Sequence, residues 1–158
     1  MPRAKVGDIE IEYEVFGKGE PLLLVQGFAA QMIMWDAKFC DQLAERGFQV
    51  IRYDNRDVGL SSKLDHHGEP DSLRHLVQAY TKRSVKAPYD LYDMADDGMG
   101  LLDALGIERA HVVGASMGGM IVQCMAIRHA RRIKSATSIM ATTGARWASI
   151  PSPNALRA

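Results

Sequence analysis

Residues 114–119, with the sequence Gly-Ala-Ser-Met-Gly-Gly, carry the G-x-S-x-G pattern between an apolar strand and a helical segment. A serine in such a sharp strand-to-helix turn takes a strained backbone conformation. Only very small residues at Gly114 and Gly118 then allow the helix and the strand to approach closely. The hydroxyl is exposed at the helix N-terminus, where backbone N–H groups can stabilise an oxyanion. The pattern therefore predicts Ser116 as a nucleophile.

The segments on both sides of this turn alternate between strands and helices. Residues 9–15 alternate apolar and acidic side chains, whereas residues 21–25 and 48–53 are apolar runs typical of strands covered on both faces. This order predicts one α/β domain with a mostly parallel sheet, whose sites lie at the carboxyl ends of strands. The predicted strands are 9–15, 21–25, 48–53, 110–113 and 133–140, and the predicted helices are 35–46, 73–80, 91–105 and 117–129.

Composition and charge exclude other classes. The 158 residues include 19 basic and 19 acidic side chains, so the net charge of zero predicts no nucleic-acid partner. No apolar run approaches the roughly 18 residues of a membrane span, and the acidic start forms no signal peptide, so we expect no membrane association and a cytoplasmic location. Cys40 and Cys124 are predicted to be buried free thiols. No metal site is predicted, because the cysteines lack CxxC or Cys/His ligand spacing. No cofactor is predicted, and a dinucleotide is disfavoured because Gly98 and Gly100 fall inside a helix rather than after a strand.

Four stretches of the chain resemble the α/β-hydrolase superfamily, and within it bacterial serine carboxylesterases and polyketide methylesterase-like hydrolases. These stretches are LLLVQGFAAQMIMWD (22–36), VIRYDNRDVGLS (50–61), DMADDGMGLLDALGI (93–107) and HVVGASMGGM (111–120). The resemblance implies that Ser116 is the nucleophile and that the backbone N–H groups of Met117 and Phe28 form the oxyanion hole. Gln26 stands where the family commonly has histidine. The polar residues of the turn are interpreted as structural: Asp54, Arg56, Asp57, Gly59 and Ser61.

In this superfamily the acid and the base of the triad follow the serine in chain order. No Asp or Glu follows Ser116 in this chain, and the one later histidine, His129, is 13 residues further along the predicted helix. At 1.5 Å per residue that is about 20 Å, too far for a hydrogen bond to the hydroxyl. His111 lies near the start of the strand that precedes Ser116. Three further histidines are interpreted as surface loop residues, with an unusual base from that loop left open: His66, His67 and His75.

The resemblance implies an incomplete α/β-hydrolase core over residues 1–158. The sheet would be truncated after about the sixth strand, without the lid and the last two strands. Residues 144–158 would begin the lid, and the triad Asp and His would be missing from this chain. The strand near Ile139 would then be an uncovered sheet edge. We therefore expect either a complementary C-terminal chain or a homo-oligomer.

Two functions remain open from the sequence. In the first, the chain belongs to an ester hydrolase that forms an acyl-enzyme at Ser116 on a small apolar ester, with Asp and His supplied from elsewhere. In the second, it is a non-catalytic truncated hydrolase-fold protein, oligomeric through its sheet edge. A serine at this turn argues against dehalogenases and epoxide hydrolases, which use a carboxylate. Thioesterase, lactonase, acyltransferase and perhydrolase chemistry stay possible, since one scaffold supports them all.

Overall fold

The structure is a computed structural model that describes residues 2–64 and 87–144. It contains six strands: β1 (Arg3–Val6), β2 (Ile9–Phe16), β3 (Glu20–Val25), β4 (Phe48–Tyr53), β5 (Ala110–Ala115) and β6 (Ile133–Ile139). Its α-helices are α1 (Ala37–Ala44), α2 (Leu91–Ala104) and α3 (Met117–Arg128), and 3-10 turns cover Met32–Met34 and Ala130–Arg132. None of the helices within the described ranges combines the length and the apolar character that crossing a bilayer requires.

The six strands form one sheet in the order β1-β2-β4-β3-β5-β6. Strands β4, β3, β5 and β6 run parallel, whereas β1 pairs with β2 and β2 with β4 in antiparallel register. The carboxyl ends of β3 and β5 are adjacent, because Val25 is the register partner of Gly114. The predicted mostly parallel sheet is confirmed, and the turn after β5 lies beside the loop after β3.

Apolar side chains of β3 alternate between the two faces of the sheet. Leu22 and Leu24 pack in one cluster with Cys40 of α1. Leu23 and Val25 belong to the larger cluster, which includes residues of α2 and α3. Both faces are therefore covered, which explains why the sequence of β3 is a continuous apolar run. Burying these side chains fixes the strand ends that carry the site.

The described elements differ from the sequence-based expectations most clearly at β1 and α1. Strand β1 was not predicted, and it forms because its residues pair with β2 from Arg3 opposite Glu12 to Val6 opposite Ile9. Helix α1 begins later than predicted, because Asp36 caps it by accepting from the N–H of Lys38. The predicted helix at 73–80 lies outside the described residues, as does almost all of the segment 144–158 expected to open a lid. Both cysteines are free, as predicted, but only Cys40 is buried as expected, whereas Cys124 is partly exposed.

Candidate active site

Ser116 lies between the end of β5 and the start of α3, with φ 55° and ψ −124°. A residue with a side chain rarely adopts a positive φ, so this backbone is strained. Hydrogen bonds on both sides hold it: the Ser116 N–H donates to the Ile139 carbonyl at 2.9 Å, and its carbonyl accepts from the Gly119 N–H at 2.9 Å. The side chain is exposed and does not cap the helix. The hydroxyl therefore points out of the turn, as a nucleophile requires.

Two glycines allow α3 to start directly against the sheet. A Cβ at Gly114 would overlap the carbonyl of Gly118. A Cβ at Gly118 would overlap the carbonyl of Val25 and lie 2.7 Å from that of Gln26. All of these neighbours are backbone atoms, which cannot move aside as a flexible side chain can. The predicted reason for both glycines, close approach of helix and strand, agrees with this packing.

The loop after β3, residues 26–30, lies against Ser116. A Cβ built on Gly27 would be 3.1 Å from the Ser116 Cβ and 3.6 Å from its Oγ. The Ala30 N–H donates to the Gly27 carbonyl at 3.3 Å, and Ala29 between them has φ 54°. The side chain of Phe28 is 81% exposed. The structure thus brings the Phe28 loop to the serine.

The N-terminus of α3 supplies the second part of the predicted oxyanion hole. The first N–H groups of an α-helix have no partner within the helix and carry a partial positive charge. Met117 is the first helical residue after Ser116, so its N–H belongs to this set. The assignment of Met117 and Phe28 as oxyanion donors stays a prediction.

The polar turn after β4 links three elements around the site. The Asp54 carboxylate accepts from the Met32 N–H at 2.7 Å and from the Leu60 N–H at 3.1 Å. The Ser61 hydroxyl donates to the Asp54 carbonyl at 2.6 Å and accepts from the N–H of Glu12 in β2 at 2.9 Å. At Gly59, with φ 51°, a Cβ would overlap the Asp54 carboxylate. These contacts support the structural interpretation of the turn.

Asp57 and Arg56 also hold the turn. Asp57, with φ 63°, accepts from the N–H of Leu64 at 2.6 Å. The Arg56 guanidinium donates to both oxygens of Asp97 at 2.6 and 2.7 Å and lies 5.0 Å from the centre of the Tyr89 ring. Burial raises the pKa of Asp97, and the Arg56 hydrogen bonds oppose that shift. Burial, together with the Asp57 hydrogen bond, raises the pKa of Tyr89 to about 12.

We expect Arg56→Ala to lower the free energy of unfolding by about 3 kcal/mol at pH 7, because it leaves the buried Asp97 carboxylate unpaired. Without Arg56, the pKa of Asp97 rises further in the folded state. The native state then holds a proton that the unfolded chain releases above about pH 4, so the loss grows as pH rises from 4 to 7. Urea unfolding at several pH values measures the free energy of unfolding of the parent and of Arg56→Ala, and so the pH dependence of the loss. Adding Asp97→Asn should remove the pH dependence, and a penalty equal at pH 4 and pH 7 would contradict the account.

The two histidines of the described segments have partners away from Ser116. His111 Nδ1 lies 2.7 Å from the Ser135 hydroxyl, at the amino end of β6. His129 Nε2, just after α3, lies 2.6 Å from the Asp96 carboxylate. The structure therefore places a histidine beside Ser135 rather than beside Ser116. His66, His67 and His75 lie outside the described residues.

Sequence reasoning missed two residues of the site. Asn55 is 1% exposed, and its amide donates to the Gln26 carbonyl at 3.0 Å. Nothing in the sequence distinguishes it from its polar neighbours. Asp97, the partner of Arg56, had a signal: it lies between Met94 and Leu101 at helical spacing, and a charge on an apolar helix face indicates a buried ion pair. Within the described ranges no group of His, Cys, Asp or Glu side chains could hold a metal ion.

The chain is similar to a known protein family and to several known proteins. Residues 20–157 match a family model described as the alpha/beta hydrolase fold. The chain is 31% identical to rhodomycin D methylesterase from Streptomyces sp. (strain C5) over 144 residues, which cover 89% of this chain and 42% of that protein. It is 36% identical to a fluoroacetate dehalogenase from Burkholderia sp. over 124 residues, covering 78% and 35% respectively.

A solved structure gives a similar result. The enol-lactonase from Burkholderia xenovorans LB400 superposes with a TM-score of 0.64 at 30% identity and covers 84% of this chain and 44% of that one. The chain thus spans less than half the length of each of these three relatives.

Proposed function

The chain belongs to the α/β-hydrolase family. We propose that it supplies the nucleophile of a carboxylic-ester hydrolase, in which Ser116 forms the acyl-enzyme. The observation that carries this proposal is the strained Ser116 itself, exposed at the N-terminus of α3 with Gly27 packed against it. A similarity to a methylesterase supports ester chemistry. The serine disfavours dehalogenation, since that reaction proceeds through a carboxylate nucleophile.

The reaction has two halves. Ser116 Oγ attacks the acyl carbon while its proton passes to a base, and the carbonyl oxygen becomes an oxyanion held by the N–H groups of Met117 and Phe28. The C–O bond to the alcohol then breaks, and the alcohol leaves with a proton from the protonated base. Water, deprotonated by the same base, attacks the acyl-enzyme and regenerates the serine.

The base and its acid partner come from outside the described residues in this proposal. His111 and His129 have other partners, so we assign the base to a further segment of polypeptide or to a second chain. Within the described part, β6 has a strand neighbour on one side only, and most of its side chains are exposed. That edge is the place where a complementary chain or a second copy would pair.

Exposed apolar side chains that follow residues in contact with Ser116 favour an apolar substrate. Phe28 is 81% exposed and Met140 is 85% exposed. Both are close in the chain to residues that touch Ser116: Phe28 follows Gly27, and Met140 follows Ile139, which accepts from the Ser116 N–H. Such side chains suit a small apolar acyl or alcohol group.

A second candidate is a non-catalytic hydrolase-fold protein. It is favoured by the pairing of both described histidines away from Ser116. The two candidates differ in whether Ser116 can react when a base is supplied.

Labelling of the purified chain by a fluorophosphonate, followed by intact mass, tests this difference. We expect Ser116 to be labelled, and added imidazole to accelerate the labelling because it can act as the base that neither described histidine supplies to Ser116. Ser116→Ala should abolish the adduct. Ser135→Ala is the matched control, since Ser135 has a histidine partner, and it should change nothing.

The same sample should be analysed by light scattering. We expect a homo-oligomer when no complementary chain is present. A lack of labelling at every imidazole concentration would favour the non-catalytic candidate, and a monodisperse monomer would contradict pairing through β6.

A further inference from the structure

The peptide group between Gln26 and Gly27 is held at both ends by side-chain amides. Its carbonyl accepts from Asn55 Nδ2 at 3.0 Å, and its N–H donates to the side-chain Oε1 of Gln26 at 3.2 Å. Both side chains are buried, with 7% of Gln26 and 1% of Asn55 exposed. Hydrogen bonds at both ends fix the rotation of this peptide plane.

The orientation of both amides follows from the chemistry of their partners. A carbonyl can only accept, so Asn55 must present its NH₂ group to Gln26. A backbone N–H can only donate, so Gln26 must present its oxygen to Gly27. A histidine at position 26 would offer a ring nitrogen as acceptor, whereas this chain uses the amide oxygen of Gln26.

The held peptide lies directly against the nucleophile. The Gln26 carbonyl is also the atom that a Cβ at Gly118 would approach to 2.7 Å, so Asn55 and the start of α3 contact the same oxygen. Gly27, at the other end of the peptide, lies against Ser116. The next peptide group carries the Phe28 N–H, and its carbonyl is engaged by the Ala30 N–H. The N–H of a trans peptide points opposite to its carbonyl, so the Ala30 hydrogen bond to the Gly27 carbonyl sets the direction of the Phe28 N–H. The held peptide between residues 26 and 27 fixes the position from which that second peptide group starts.

We propose that Asn55 and Gln26 are positioning residues that aim the Phe28 N–H at the oxyanion of the reaction. This inference rests on the proposed function of Ser116. Neither side chain touches the substrate in this proposal, because both act through the peptide between residues 26 and 27. Loss of either hydrogen bond lets that peptide rotate, and an error of about 1 Å in such a donor can lower a rate about 100-fold.

Size-matched variants test the proposal. Asn55→Asp removes the donor, and Gln26→Met removes the acceptor. Gln26→Glu keeps an oxygen at the same reach. Ser62→Ala is the control, because it removes a hydrogen bond from the same turn, 2.8 Å from the Glu10 N–H, that leads away from the loop. All are compared at equal folded fraction.

The readouts are the maximal rate of fluorophosphonate labelling, the concentration for half-maximal rate, and the NMR amide signal of Phe28. Asn55→Asp and Gln26→Met should lower the maximal labelling rate at least about tenfold, with little change in the concentration that gives the half-maximal rate. Both variants should also shift the NMR amide signal of Phe28. Gln26→Glu and Ser62→Ala should retain the rate and the signal.

An unchanged rate in the first two variants, or an equal loss in Ser62→Ala, would overturn the proposal. If the parent chain is not labelled at all, the proposed function fails instead. The Phe28 signal then decides the positioning role alone: a shift confined to Asn55→Asp and Gln26→Met supports it, and any other pattern overturns it.

Discussion

Replacing Gly118 with alanine should destabilise the chain by about 3 kcal/mol or more. In an open helix position the same change would stabilise by about 1 kcal/mol, because alanine is the better helix former. Here the added Cβ meets the backbone carbonyls of Val25 and Gln26. Val25 ends β3 and Gln26 begins the loop after it, and their backbone carbonyls cannot turn away, so steric overlap outweighs propensity. A loss of stability in Gly118→Ala would therefore show that α3 starts in close contact with the end of β3.

Gly119→Ala is the matched control for that experiment. A Cβ at Gly119 would first meet side-chain atoms, the Ala141 Cβ at 2.6 Å and the Ser138 hydroxyl at 2.8 Å. Ser138 is exposed and Ala141 is only partly buried, so both can shift. We expect a smaller loss, about 1 kcal/mol. Urea unfolding of the three proteins gives the comparison. Equal stabilities of the two variants would contradict the packing described for α3.

Replacing Ser116 with glycine should abolish labelling and at the same time raise the melting temperature by about 2–4 °C. Labelling is lost with the hydroxyl. The stability gain arises because glycine adopts φ 55° without the strain that a side chain causes there, about 1–3 kcal/mol. The greater freedom of glycine in the unfolded chain offsets part of this, about 0.5–1 kcal/mol.

Ser116→Ala separates the two effects. Alanine lacks the hydroxyl but keeps the Cβ, so it should lose labelling like glycine and melt with the parent. Thermal unfolding followed by circular dichroism measures the difference. If both variants melt at the same temperature, the side chain of residue 116 causes no backbone strain in this turn.

Local pattern was sufficient for most of the fold. The apolar run of β4 predicted Phe48–Tyr53, which are its bounds in the structure. The glycines around Ser116 likewise indicated the strand-turn-helix geometry. Strand β1 was missed because it has four residues, two of them charged, and its main stabilisation is pairing with β2. A short strand of this kind is specified by its partner more than by its own sequence.

Contacts between distant residues could not be predicted in the same way. Asn55 and Gln26 are 29 positions apart, and neither shows from its own neighbours that it holds a backbone peptide. The contact between His111 and Ser135, which are 24 positions apart, could not be predicted either, because they meet only through the register in which β5 and β6 pair. Spacing alone predicted that His129 lies at the far end of the helix that follows Ser116, because a helix has a fixed rise per residue, and the structure places it there beside Asp96.

Trapping of the acyl-enzyme tests the central claim most directly. The purified chain is incubated with the p-nitrophenyl ester of a short fatty acid and quenched in acid, and the modified residue is identified by peptide mass spectrometry. The account predicts an acyl group on Ser116, which persists because neither histidine of the described residues is placed to activate water, and which is missing in Ser116→Ala but kept in Ser135→Ala. An unmodified Ser116, or an acyl group that remains in the Ser116→Ala chain, would contradict it.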